Sequence, residues 1–211
     1  MTDSRADATK PRLGGVRTRT IHDRREVTRP VSASTLAFHG AVVDVRLDDV
    51  VLAPGSEPVR RDVVVHPGAA AVIALNAERE VAFIQQYRHP VGAELWEIPA
   101  GLLDVAGEDP AECARRELRE EVDLCAGRIE PLLTLALSPG GSDEIIHVFL
   151  ATELSRAAAS FERSDEEAEF ELTWVPLQDA LTALDEGRIL NATTAVALLA
   201  TARRLGAPAA G

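Results

Sequence analysis

No stretch of this 211-residue chain approaches the roughly 18 consecutive apolar residues that a membrane-spanning helix needs, and the N-terminus lacks the apolar core of a secretion signal. The expectation is a cytoplasmic protein with no membrane partner. Cysteine is scarce: Cys113 and Cys125 are the two present, without C-x-x-C or metal-ligand spacing, which argues against a disulfide framework and reads as two buried reduced thiols. There is no internal repeat. Positive charge is also short, with 22 Lys and Arg against 34 Asp and Glu for a net charge of -12. The deficit is uneven. Residues 1–30 hold eight basic and four acidic residues, so the remainder carries a net of -16 and is a poor general binder of nucleic acid. A phosphorylated substrate would have to be attracted locally, against the field of the whole molecule.

What is present is enough for one full core: 46% of residues are hydrophobic. Residues 1–32, rich in Arg, Thr, Asp and Pro, read as a disordered basic tail. From 33 to 66 short apolar runs (Leu36 to Phe38, Val42 to Val45, Val50 to Leu52, Val63 to Val65) around a Pro54-Gly55 turn read as a small antiparallel β-subdomain. Residues 67–207 form the main domain. Ala69 to Leu75 and Val81 to Tyr87 read as two strands of a hairpin, Ile129 to Leu137 and Ile145 to Leu154 as strands about a Pro-Gly-Gly loop, and Gln178 to Glu186 and Ala192 to Leu205 as packing helices. Asn191 opens an Asn-x-Thr sequon but is better read as the N-cap of the last helix.

The stretch Gly101 to Leu124 carries the chemistry. Asp109 as N-cap, Pro110 at the first helical position and Glu112 at N3 announce a helix. On it Glu117, Glu120 and Glu121 share one arc beside an apolar stripe of Ala114, Leu118, Val122 and Cys125. At ~5 to 6 Å separation each like-charge pair costs about 3 kcal/mol at an effective dielectric near 20. A hard divalent cation, Mg²⁺ or Mn²⁺, would relieve it. The competing reading is a solvated, salt-bridged surface, since Arg116 and Glu120 form an i, i+4 pair. The turn from Pro99 through Gly107 exposes backbone that could complete an oxygen shell.

The same residues resemble the Nudix box, G-x5-E-x7-R-E-U-x-E-E-x-G-U with U aliphatic. Gly101 opens it, Glu108 follows after six residues instead of five, and Arg116-Glu117-Leu118-Arg119-Glu120-Glu121-Val122-Asp123-Leu124 closes it, with Asp123 where the pattern has glycine. The extra residue lies in a loop, and Asp tolerates the left-handed turn that the glycine normally makes. The resemblance implies an α+β Nudix fold, a mixed sheet sandwiched between helices. It also implies Mg²⁺ or Mn²⁺ held by Glu117, Glu121, Glu120 and the Ala100 carbonyl, with Arg116 orienting Glu120.

Within the family, Gln85-Gln86-Tyr87-Arg88 and Leu95-Trp96-Glu97-Ile98-Pro99-Ala100-Gly101 are similar to the ADP-ribose pyrophosphatases, and Pro139, fifteen positions beyond Leu124, sits where that branch has its marker proline. The implied substrate-binding residues are Arg88, Glu97, Gly101, Leu102, Pro139, Gly140, Ser142 and Asp143. The implied base is Glu167, with Glu166 second, from the acidic run Ser164 to Glu169. Glu120 joins these two as a candidate catalytic residue. Trp96 reads either as a base-stacking ring or as core. The N-terminal sheet implies a homodimer. The expected reaction splits ADP-ribose into AMP and ribose 5-phosphate. The alternatives are hydrolysis of another nucleoside diphosphate derivative, and a non-catalytic ADP-ribose sensor.

Overall fold

A computed structural model of the chain describes residues 21–24, 27–158, 161 and 172–206. Most of the tail, the acidic run Ser164 to Glu169 with Glu166 and Glu167, and the last five residues lie outside them. Strands β1 (Val31–His39), β2 (Asp44–Val50) and β3 (Val59–Val65) form an antiparallel sheet in that order. β1 is exposed along its whole length, Leu36 and Phe38 each at 58%.

The core is organised by β4 (Ala69–Ala74), buried at every position. Its unbroken apolar run is what a strand covered on both faces requires. The two-residue period then sorts it: Ala71 and Ile73 face a cluster with Leu181 and Leu198, while Ala70, Val72 and Ala74 face Cys113, Leu118 and Val122. β4 pairs antiparallel with β7 (Ala100–Leu102) and parallel with β9 (Ile145–Arg156), which in turn pairs with β8 (Leu124–Ala136), giving the mixed order β7-β4-β9-β8. Helix α1 (Pro110–Val122) covers one face; α2 (Leu177–Asp185) and α3 (Ala192–Arg204) cover the other. The expected α+β architecture, a mixed sheet between helices, is what the chain adopts. Among the described residues no helix is long and apolar enough to cross a membrane.

The hairpin expected of Ala69 to Leu75 and Val81 to Tyr87 is not one. β5 (Glu80–Arg88) leaves β4 after a single bridge, Leu75 to Val81, and joins β6 (Ala93–Glu97) and β10 (Thr173–Pro176) in a separate antiparallel sheet, β10-β5-β6. Both edges of β4 are taken by β7 and β9, so it has none left for β5.

Helix punctuation follows the sequence closely. The Asp109 carboxylate accepts from the Ala111 N–H at 2.8 Å, Pro110 begins α1, and Asp123 ends it in the left-handed region at φ 54°. Asn191 caps α3, accepting from the Thr194 N–H at 2.9 Å. Asp109→Ala should cost about 1 kcal/mol through loss of the cap, seen in thermal unfolding as a fall of roughly 2 to 4 °C.

Candidate functional site

Gly101 lies in β7 directly under α1. A Cβ there would overlap the Glu117 carboxylate, so the glycine that opens the motif is a requirement of close approach. Glu117 and Glu121, one turn apart, are each 6% exposed. Glu121 accepts a hydrogen bond from the Ala100 N–H at 2.9 Å, tying the helix to the strand. Glu120, on the outer side of the arc, is half-buried.

Arg116 organises these acids. Its Nε and Nη2 donate to the two Glu108 oxygens at 3.1 and 3.0 Å, and its Nη1 reaches both Glu117 and, at 3.2 Å, Glu120. The expected Arg116 to Glu120 contact is therefore present, but Arg116 also serves two further carboxylates. Hydrogen bonding from Arg116 holds Glu108 below the usual carboxylate range, and the acids, Glu108 first, push the guanidinium further up. Beneath it Cys113 is fully buried, its thiol pushed up to about 12 by burial and by Glu117.

The donor set fits a hard divalent cation. Glu117 and Glu121 offer buried carboxylate oxygen beside the Ala100 backbone, and the nearby sulfur is a protonated thiol, a poor ligand. Among the described residues no three His, Cys, Asp or Glu side chains stand as a preformed metal cage. Glu117 turns toward Arg116 and Glu121 toward Ala100.

A cleft of about 700 Å³ runs alongside, lined in part by Arg88, Glu97, Ala100, Gly101 and Leu102. It brings five of the sequence-derived site residues together. Arg88 and Glu97 grip each other, Nε to Oε1 at 3.0 Å and Nη2 to Oε2 at 2.6 Å, with Glu97 only 3% exposed. Glu97 thus holds the guanidinium at the cleft wall. Pro139, Gly140, Ser142 and Asp143 are not part of the cleft lining. Their loop docks on β3, with Val64 N–H donating to Gly141 O at 2.8 Å and Asp143 accepting from His66 N–H at 2.9 Å. Trp96, 36% exposed, meets Phe83 edge to face at 6.5 Å and lines a different cavity, because successive side chains of β6 point to opposite faces.

Sequence reasoning missed His66, Glu144, Thr193 and Thr194, which also line the cleft. The His-Pro-Gly turn after β3 was the available signal for His66; Thr193 and Thr194 are ordinary first-turn residues of a helix until the chain packs.

The NUDIX domain model matches residues 65–194. The chain belongs to the Nudix family. It is 43% identical over 170 residues to a Mycobacterium tuberculosis protein named ADP-ribose pyrophosphatase, covering 81% of each chain. A Bacillus subtilis protein of the same name is 40% identical over 161 residues, 76% of this chain and 85% of its own. Among solved structures, an ADP compounds hydrolase shares the fold with TM-score 0.69 at 19% identity, covering 87% of this chain and 97% of that one. The Nudix box is then the β7 to α1 unit described above. Its longer loop closes with Gly107 at φ 79°, and Asp123 supplies the turn where the pattern has glycine.

Proposed function

We propose that this chain is a Nudix pyrophosphatase that hydrolyses ADP-ribose to AMP and ribose 5-phosphate. The observation that carries the reading is the buried Glu117 and Glu121 pair, pressed onto the Ala100-Gly101 backbone at the edge of a cleft that also holds Arg88. The names of the two relatives supply the substrate. Nudix hydrolases generally need a divalent metal, and here Glu117, Glu121, Glu120 and the Ala100 carbonyl would hold Mg²⁺ or Mn²⁺. Such an ion would neutralise charge on the phosphates and make water there more acidic. Arg88, fixed by Glu97, would grip diphosphate oxygens. Glu167, or Glu166 beside it, would take the proton from the water that attacks phosphorus; the P–O bond to the leaving phosphate then breaks and the second product departs.

Residues 33–66 are assigned to dimerisation, residues 67–207 to catalysis, and 1–32 to a tail. The dimer reading is supported by exposed Leu36 and Phe38 on β1 and by the few backbone hydrogen bonds, among the described residues, between that sheet and the body. In a homodimer, Pro139, Gly140, Ser142 and Asp143 would contribute to the site. A cytoplasmic setting, with neither membrane nor nucleic acid as partner, completes the assignment.

The test is product analysis by anion-exchange chromatography. ADP-ribose with Mg²⁺ or Mn²⁺ should yield AMP and ribose 5-phosphate in equal amounts, and chelation should abolish the reaction. Faster turnover of a hexose nucleotide sugar or a dinucleoside polyphosphate would reassign the substrate. Undiminished turnover after metal depletion would overturn the mechanism. Glu167→Gln should lower kcat by about 10²- to 10⁴-fold, the range for a general base, with little change in KM. An unchanged kcat would place the base elsewhere.

A further inference from the structure

Where the Nudix pattern ends its helix with glycine, this chain has Asp123, at φ 54° and ψ 36°. Two local forces disfavour an aspartate there. A left-handed backbone strains an L side chain and costs glycine nothing, and a carboxylate at a helix C-terminus meets the partial negative charge of the last carbonyls. Glycine would escape both penalties, so the reason for the side chain lies in what it touches.

The Asp123 Oδ1 accepts a hydrogen bond from the Phe161 N–H at 2.9 Å. Its carbonyl accepts from the Ala157 N–H at 2.8 Å, immediately after β9 ends at Arg156, and its own N–H donates to the Arg119 carbonyl at 3.1 Å within α1. One residue thus joins the end of α1 to two points on the chain that leaves β9. The Phe161 residue is 52% exposed, so its burial contributes little to holding the second point. A glycine at position 123 would keep the turn and both backbone bonds, while the carboxylate's grip on Phe161 would be lost.

Sequence order on either side gives that grip its consequence. Glu120 and Glu121, assigned above to the metal, stand three and two positions before Asp123, and Glu167, assigned as the base, stands six positions after Phe161 and outside the described residues. The chain that leads to the base is therefore tied to the same helix end that follows the metal acids. Holding Phe161 shortens the span that must be ordered before β10, and a shorter span between fixed ends has less conformational entropy to lose.

We propose that Asp123 is a positioning residue: by holding Phe161 it sets the general base of the following segment in register with the acids of α1. This rests on the assignment of the base to Glu167 and deepens it by naming what places that group. The experiment compares the full-length protein with its Asp123→Gly and Asp123→Asn variants by steady-state kinetics on ADP-ribose with Mg²⁺, by amide hydrogen exchange at Phe161 and by thermal unfolding. Asp123→Gly should speed exchange at Phe161 and lower kcat, each about five- to tenfold, the worth of one hydrogen bond, with KM within about twofold of wild type and little change in melting temperature. Asp123→Asn, which tolerates the same turn and offers the same oxygen, should restore exchange and kcat together. In a Glu167→Gln background, Asp123→Gly should lower kcat no further, because the group it positions is already gone. Unchanged exchange at Phe161, unchanged kcat, failure of asparagine to restore either, or a fully additive loss would overturn the positioning role. The two readings fail separately. A Glu167→Gln enzyme that turns over like the wild type would remove the base and leave the exchange difference standing; a slowed Glu167→Gln enzyme with no exchange difference in Asp123→Gly would remove the anchor and keep the base.

Discussion

On the proposed assignment of Glu121 to a divalent cation, Glu121→Gln is expected to lower kcat for ADP-ribose by about 10³-fold, because such an ion would contribute several kcal/mol of transition-state stabilisation and each 1.36 kcal/mol is tenfold. The fold should survive the change. The glutamine oxygen can still accept from the Ala100 N–H that now bonds Glu121 at 2.9 Å, so the link between α1 and β7 persists. Circular dichroism and thermal unfolding would establish the intact fold, and steady-state kinetics at saturating metal the loss of turnover. A kcat within tenfold of wild type would remove Glu121 from the reaction. Glu120→Gln should also impair turnover, though less, since that side chain is partly solvated and already partnered by Arg116 at 3.2 Å.

The second large effect falls on stability. Arg116→Ala leaves Glu117, almost wholly buried, without the guanidinium that touches it, and removes the shared partner of Glu108 and Glu120. Breaking an ion pair of this burial costs about 3 kcal/mol, a melting-temperature drop of roughly 6 to 12 °C for a chain of this size. A variant melting with the wild type would show that the network contributes nothing. The sign of the acid dependence follows from Glu108. Its pKa is held below 4.5 in the fold by Arg116, so its stabilisation is complete above the ordinary carboxylate range and is lost as pH falls through the lowered value. The gap between wild type and Arg116→Ala should therefore be widest near neutral pH and narrow in acid.

The elements that could be read from sequence are those whose determinants are local. Asp109, Pro110, Asp123 and Asn191 each act within a few residues of themselves, and each cap and terminus forms as expected. The carboxylate arc and its arginine were legible for the same reason, being set by helical period. What escaped is whatever depends on distant pairing. β4 looks like half of a hairpin until β9, more than seventy residues away, takes its edge. The ion pair between Glu97 and Arg88 forms only once β5 and β6 lie side by side, which no local pattern announces. His66 and Glu144 come within 4.0 Å of each other across a long stretch of chain where Val64 bridges Ser142, and Thr193 reaches the same cleft only once α3 packs beside the β6 to β7 turn.

The contrast between the two cysteines has a practical use. Cys113 is sealed under Arg116 and kept as a thiol, so a maleimide dye would pass it by and attach at Cys125, which is partly exposed at the start of β8, outside the cleft lining. A single fluorophore would then sit two residues past Asp123, at the end of the helix that bears the acids, and could report substrate engagement as an emission change in the unmutated chain.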